Sequence, residues 1–257
     1  MSKSDLIMDL EGTEFDVQDD CAILRIKSDL FKNLTDLTKE SKVFSWFDQI
    51  AVNDEIKAVF VFNDKGTLTE SVYNEFLSDV TGKELDENCP ECINAFQKGQ
   101  IRAIEINMLI SFARKMINLP KLVVSCLRGE IVTPFFGTSL TSDIRLLDKD
   151  SCFSLSHVKY GLHPSGGLPF FLPKFVGNGV AMELLLQGGK ITAEDALELG
   201  LVNEIIDSDN FEQNCISYVK ENYKLEKNLI KSTKDLFHYY KKDLYKYFDH
   251  EETYLYS

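Results

Sequence analysis

Residues 171–206 read FLPKFVGNGVAMELLLQGGKITAEDALELGLVNEII and carry the clearest local signals of this 257-residue chain. Thr192 has the short hydroxyl side chain preferred at a helix N-cap, and an acidic residue stands three positions later. Gly200 then supplies the glycine that commonly follows a last helical turn. These signals predict a short helix over Ala193–Leu199, followed directly by an apolar strand over Val202–Ile206.

Apolar runs and helical spacing also alternate toward the N-terminus. The predicted strands are Phe15–Val17, Ala22–Ile26, Ala58–Phe62, Leu122–Leu127, Ser142–Leu147 and Cys152–Leu155. The predicted helices are Leu34–Val52 and Ile93–Ile117, the second preceded by a polar loop, Thr81–Cys92. Ala58–Phe62 is apolar throughout and Leu122–Leu127 is apolar except for Ser125, which is typical of strands buried on both faces. Strands that alternate with helices predict an α/β architecture.

The C-terminal part of the chain is predicted to be helical. Its apolar positions recur at three- and four-residue steps, at Leu229, Thr233, Leu236, Tyr240, Leu244 and Tyr247. The opposite face is rich in lysine. We therefore divide the chain into an α/β core, 1–205, and a C-terminal helical region, 206–257.

Composition narrows the classes of partner. The net charge of −13 disfavours nucleic acid as a ligand, although a local basic pocket for one anion remains compatible with it. No apolar run is long enough to span a membrane, and the N-terminus lacks the apolar segment of a signal peptide. We therefore expect a cytoplasmic protein whose six cysteines are reduced. One Cys-x-x-Cys pair, Cys89–Cys92, cannot complete a four-ligand zinc site, so we expect no bound metal.

Residues Lys121–Asp207 resemble the enoyl-CoA hydratase/isomerase (crotonase) family. The matching segments are Phe171–Gly177, Ala181–Leu184 and Ile191–Asn203, where the family reads R-L-P-R-L-V-G, A-x-E-L and I-x-A-x-E-A-x-x-x-G-L-V-N. Gly129 and Asp143–Arg145 match at the family's spacing. The resemblance implies ββα units in two stacked sheets, with C-terminal helices that form a homotrimer or a dimer of trimers. It also implies a pocket for an acyl thioester, usually an acyl-CoA, so CoA would enter as part of the ligand.

In this family, two backbone N–H groups stabilise an enolate-like oxyanion on the thioester carbonyl. The triple glycine that supplies one donor matches Thr133, Pro134 and Phe135, and the middle position is a proline, which has no N–H. A one-residue shift would leave the amide of Thr133 or Phe135 as the donor. The other donor belongs to a small-residue motif that matches Leu68–Tyr73, where the amide of Val72 is the candidate.

The two hydratase glutamates of the family are also replaced. Gly137 stands at the first position and His157 at the second, so ordinary hydratase chemistry is not expected. His157 is the candidate catalytic residue, as a general base, and the alternative is a partly buried histidine with a structural hydrogen bond. The resemblance places Phe136, Gly137, His163 and Ser165 around the acyl pocket. His163 precedes a Pro-Ser-Gly-Gly turn, where a helix N-terminus would suit an anion or a carbonyl.

Two lysines match the regions that contact CoA in the family, Lys27 and Lys234. The alternative for Lys234 is a solvated helix face, because Lys231, Lys241 and Lys242 are equally basic. Two functions therefore stay open. One is a divergent enzyme that acts on an acyl thioester. The other is a non-catalytic binding or partner subunit of an active homologue, in which the Phe135–Phe136 pair fills the pocket.

Overall fold

The computed structural model describes residues 3–28, 30–86 and 93–256, and the Cys89–Cys92 pair lies outside them. The strands of the described residues are β1 (Met8–Leu10), β2 (Thr13–Gln18), β3 (Cys21–Ile26), β4 (Ala58–Asn63), β5 (Leu122–Leu127), β6 (Glu130–Val132), β7 (Ile144–Asp148), β8 (Cys152–Ser154), β9 (Lys190–Thr192) and β10 (Glu204–Ile206). One sheet has seven strands in the order β1-β2-β3-β4-β5-β7-β10, and a second sheet has three in the order β6-β8-β9.

Helices connect these strands and follow them. They are α1 (Leu30–Leu34), α2 (Leu37–Val52), α3 (Glu70–Thr81), α4 (Gly99–Asn118), α5 (Thr133–Ser139), α6 (Leu168–Gln187), α7 (Ala193–Glu198), α8 (Phe211–Asn222), α9 (Lys227–Phe237) and α10 (Lys241–Glu251). Short 3-10 helices include Ser156–Val158 and Glu252–Tyr256. The α/β class with C-terminal helices is confirmed. Among the described residues, every helix is either too short or too polar to span a bilayer.

The large sheet is parallel from β3 to β10. Strands β2 and β3 form an antiparallel hairpin, and β3, β4, β5, β7 and β10 then pair in parallel. β4 and β5 are buried at every position because each has a strand on both sides and helices over both faces. This confirms the interpretation of their continuous apolar runs.

Several predicted helix boundaries and one predicted helix face are wrong. The predicted helix Leu34–Val52 is divided, because the Asp36 side chain caps α2 by accepting from the amides of Thr38 and Lys39. Helix α4 begins at Gly99 and not at Ile93, whose amide instead donates to the carbonyl of Tyr160, 2.8 Å away. In both cases a specific hydrogen bond overrides the helical spacing of apolar residues.

On α9 the predicted apolar face does not point inward. Leu236 is 79% exposed and Leu229 is also exposed, whereas Ile230 and Lys234 are buried. The buried face is therefore displaced around the helix, because it meets a buried carboxylate and backbone carbonyls that require a cation. Periodicity alone does not distinguish these two faces.

Candidate functional site

Pro134 lies in the first turn of α5, a helix whose residues are all buried. The amides of a first turn have no intrahelical acceptor, so proline costs the helix no hydrogen bond there. The carbonyl of Pro134 accepts a hydrogen bond from the Thr138 hydroxyl at 2.7 Å. Local helix geometry thus accommodates the proline, and this position offers no N–H to a ligand.

The segment that contains Val72 is helical. Thr69 caps α3, and its hydroxyl accepts from the Val72 amide at 3.3 Å. The small-residue turn that the resemblance suggested over Leu68–Tyr73 is therefore replaced by a capped helix start. The Val132 amide donates to the Leu68 carbonyl at 2.9 Å, so the starts of α3 and α5 are neighbours. The structure thus brings both candidate oxyanion segments together, but the Val72 amide already has an intramolecular acceptor.

His157 is 3% exposed and both of its ring nitrogens have protein partners. Nε2 lies 2.9 Å from the carbonyl oxygen of Leu185, and Nδ1 lies 3.1 Å from the Thr133 hydroxyl. A carbonyl only accepts, so Nε2 carries the proton, and Nδ1 of the neutral ring faces the Thr133 hydroxyl, which also lies 3.1 Å from the Ser154 carbonyl oxygen. Burial lowers the pKa of His157, while the Leu185 carbonyl opposes that shift. This is the geometry of a neutral histidine with a hydrogen-bond partner at each ring nitrogen. It does not favour the general-base role of His157, which stays a prediction.

Gly137 has no room for a side chain. A Cβ atom there would lie 2.7 Å from the carbonyl oxygen of Gly166 and 2.8 Å from that of Ser165. Ser165 is buried, and Phe136 is stacked on Phe153 with ring centroids 4.1 Å apart. These three predicted pocket residues are therefore packed within the protein, and a glutamate at position 137 would force the adjoining turn to move.

Aromatic side chains occupy the space beside the starts of α3 and α5. The Phe31 ring lies 5.2 Å from Tyr73, 4.7 Å from Phe76 and 5.2 Å from Phe135, measured between centroids. Phe135 also faces an apolar cavity of about 110 Å³ between the large sheet and the helices α2 and α4. Three aromatic residues that sequence patterns did not single out, Phe31, Tyr73 and Phe76, thus cluster beside Phe135, and the filling of an acyl pocket by Phe135 and Phe136 stays a prediction.

The turn before α6 holds an anionic group of the chain itself. The amides of Gly166 and Gly167 donate to the two carboxylate oxygens of Glu251, at 2.9 and 3.2 Å. Burial raises the pKa of Glu251 to about 7, although the Tyr247 hydroxyl and the two amides favour the charged form. The Glu251 carboxyl group, which sequence patterns missed, therefore occupies the helix N-terminus where the anion or carbonyl of a ligand was expected.

His163 borders a cavity of about 470 Å³. The lining residues are Ile93, Asn94, Ala95, Phe96, Gly99, Arg102, Gly161, Leu162, His163 and Tyr254. Nε2 of His163 is buried and has no hydrogen-bond partner among the described residues. Burial lowers the pKa of His163 to about 4, with further lowering by Arg102 and His157. The lining does not include Phe136, Gly137 or Ser165.

The two lysines expected near CoA lie at opposite ends of the parallel strands. Lys27 follows the carboxyl end of β3, is exposed and pairs with Glu14. Lys234 lies near the amino end of β5, where its ammonium group donates to the Asp143 carboxylate at 2.6 Å and the Lys121 carbonyl at 3.0 Å. Burial lowers the pKa of Lys234. The expectation of a solvated face for Lys234 is wrong, and the two lysines do not meet within one chain.

Comparison with known proteins places this geometry in a family. The family model for enoyl-CoA hydratase/isomerase matches residues 93–257. The crystal structure of enoyl-CoA hydratase from Bacillus halodurans shares 20% identity and superposes with a TM-score of 0.72, covering 95% of this chain and 93% of that one. An enoyl-CoA hydratase from Mycobacterium avium subsp. paratuberculosis K-10 shares 18% identity and superposes with a TM-score of 0.71, covering 98% of this chain and 96% of that one. These structures share the fold, and the family model covers more than half of the sequence. The chain therefore belongs to the enoyl-CoA hydratase/isomerase family.

Proposed function

We propose that this family member binds an acyl thioester, such as an acyl-CoA, and does not carry out the hydratase reaction. The observation that carries the proposal is the state of His157, which stands at the position of a hydratase glutamate. Both of its ring nitrogens are engaged by the protein. A general base must reach the proton that it removes, and His157 has no nitrogen left for that purpose.

Two further features support the loss of hydration. The Pro134 position lacks a donor, and one lost oxyanion donor costs about 3 kcal/mol of transition-state stabilisation. Position 137 lacks both a carboxylate and the space for one. General acid–base catalysis typically contributes on the order of 10²- to 10⁴-fold to a rate. Together these losses would leave little of a hydratase's acceleration.

The thioester part of the proposal rests on the family and on the cavity. The solved relatives are named for enoyl-CoA, which is a thioester. The cavity beside His163 has a volume typical of small-molecule sites. The retained fold and a cavity of this size support thioester binding without the parent reaction.

Calorimetry and a hydration assay test this proposal together. We expect the protein to bind crotonyl-CoA and butanoyl-CoA in titration calorimetry, and to hydrate crotonyl-CoA no faster than buffer does. His157→Gln, which keeps hydrogen-bonding groups, should leave that absence of hydration unchanged, and His250→Gln on the exposed end of α10 is the matched control. Hydration by the wild type that His157→Gln removes would overturn the proposal, as would the absence of thioester binding at millimolar concentration.

A second candidate is a non-catalytic subunit that associates with other copies of the fold. Helix α6 carries Met182 and Leu186 one turn apart on one face, 59% and 71% exposed, with Val180 also exposed nearby. Large apolar side chains grouped on one exposed helix are typical of association surfaces. We infer that this face, defined by Met182 and Leu186, joins copies of this chain into a homotrimer.

A further inference from the structure

The apolar cavity between the large sheet and the helices α2 and α4, here called the core cavity, has a volume of about 110 Å³. Its walls are mainly aliphatic and aromatic, and they include Leu24, Val61, Val43, Met108, Leu109 and Met116. Among the described residues, it shares no lining residue with the cavity beside His163. The second half of α4 lines the core cavity, whereas Gly99 and Arg102 in its first turn line the other one. The two cavities are therefore separate.

Three hydroxyl groups in the walls of the core cavity are hydrogen-bonded within the protein. Those of Thr138 and Ser139 donate to backbone carbonyls of their own helix, α5, each at 2.7 Å. The Ser125 hydroxyl lies 2.5 Å from the Ser142 hydroxyl. A polar group that entered the cavity would lose its hydrogen bonds to water and find these wall groups already engaged. The walls therefore favour an apolar ligand.

The core cavity approaches solvent beside α2. Val43 and Phe44 line it and are only half-buried, so a small molecule can reach it from this side. Lys39 also lines it, and its ammonium group donates to the Asn33 side chain at 2.8 Å and to the Glu11 carboxylate at 2.9 Å. The charge of Lys39 is therefore balanced within the protein. The entrance gives an anion no advantage over an uncharged molecule.

We propose that the core cavity binds a small uncharged apolar molecule, about the size of a benzene ring, at a site separate from the thioester site. An apolar protein cavity of about 150 Å³ stays dry and binds benzene, so about 110 Å³ suits a ligand of about five or six carbon atoms. Such a ligand gains dispersion contacts with every wall. Leu68 and Phe135 also line the cavity, so the bound molecule contacts both segments that the resemblance assigns to the oxyanion donors. The inference does not depend on the proposed function.

Methionine methyl groups locate the ligand in the wild-type protein. Met108 and Met116 line the core cavity, whereas Met182 is exposed on α6. In ¹³C-methyl NMR we expect benzene to shift the resonances of Met108 and Met116, with a dissociation constant of about 1 mM or below, and to leave that of Met182 in place. Phenol has the same ring and one hydroxyl group that loses its hydration on entry. It should bind about tenfold more weakly than benzene.

A pair of variants on α2 tests the position of the site. Val43→Phe adds volume to the cavity wall and should weaken benzene binding about tenfold or more, whereas Val52→Phe, at an exposed residue of the same helix, should keep the wild-type affinity. If Val43→Phe does not fold, the wild-type methyl shifts decide.

Several results would overturn the inference. They are the absence of a methyl shift at 10 mM benzene, which is about ten times the expected dissociation constant, equal affinities for benzene and phenol, unchanged binding in Val43→Phe, and displacement of benzene by butanoyl-CoA. The last result would make the core cavity part of the thioester site. A failure of butanoyl-CoA to bind at all would count against the proposed function alone.

Discussion

Two opposing effects act on the ionised form of the Glu251 carboxyl group. The amides of Gly166 and Gly167 offer it two hydrogen bonds at the N-terminus of α6. It is also almost fully enclosed, and burial disfavours the ionised form. The net result is a pKa raised to about 7, so burial outweighs the hydrogen bonds.

This raised pKa predicts a specific dependence of stability on pH. A group whose pKa is higher in the folded state contributes stability that is complete below its unfolded pKa of about 4.5 and is lost as pH rises through about 7. We expect the free energy of unfolding of the wild type, relative to Glu251→Gln, to fall by on the order of 3 kcal/mol between pH 4.5 and pH 8. Urea unfolding followed by circular dichroism at several pH values measures this difference.

The matched control for that experiment is Glu221→Gln, which changes an exposed carboxylate of α8. Its pH profile should follow that of the wild type, because an exposed carboxylate loses little hydration on folding. Parallel profiles for the wild type and Glu251→Gln would contradict the raised pKa of Glu251.

At the scale of elements, α9 is attached to the sheet through a buried charge pair. The Asp143 carboxylate accepts from the Lys234 ammonium group at 2.6 Å and from the Val123 amide at 2.8 Å. One side chain therefore connects the start of β7 with β5 and with the C-terminal helices. Removing one partner of a buried pair leaves an uncompensated charge, which is far more costly than losing an exposed pair.

We expect Asp143→Asn to lower the free energy of unfolding by about 3–5 kcal/mol, measured by urea denaturation. The double variant Asp143→Leu with Lys234→Met should recover much of that loss, because it removes both charges. Asp54→Asn is the matched control, because Asp54 pairs with Lys227 of α9 at an exposed site, and its loss should be much smaller than that of Asp143→Asn. A loss for Asp143→Asn no larger than that for Asp54→Asn would show that the buried pair does not anchor α9.

At the scale of the whole molecule, a chain with a net charge of −13 exposes an apolar face on α6. Like charges oppose association, so apolar contact must exceed that repulsion if copies are to assemble. Burying the large side chains of this face would contribute about 1.5–3 kcal/mol for each residue. Repetition of such a contact around a threefold axis would close a trimer.

Sedimentation equilibrium tests this assembly. We expect the wild-type protein to have three times the mass of one chain, and Leu186→Glu to shift it toward the monomer by placing a charge in the contact. Val52→Glu, at an equally exposed apolar residue on α2, should leave the assembly intact. A wild-type protein that is monomeric at every concentration would exclude the homotrimer and leave association with a different chain as the candidate role.

The sequence by itself determined the elements whose signals are local. Apolar runs identified β4 and β5, and the Thr192 cap together with Gly200 identified α7, since strand burial and helix capping depend on near neighbours in the chain. It also determined the residue types at the family's catalytic positions. It did not identify α3 or α5, because the starts of both helices were assigned to oxyanion segments on the resemblance alone.

Only the tertiary structure decided what those residues contact. The partners of the His157 ring are Thr133 and Leu185, and the partner of the Gly166–Gly167 turn is Glu251, all far away along the chain. The buried face of α9 is likewise set by Asp143 and not by the apolar spacing of the helix. Local propensities determine whether a segment forms a helix, a strand or a turn. Hydrogen bonds and charge pairs between distant segments depend on distances and directions that exist only once the elements have packed, and those contacts determine what this site can do.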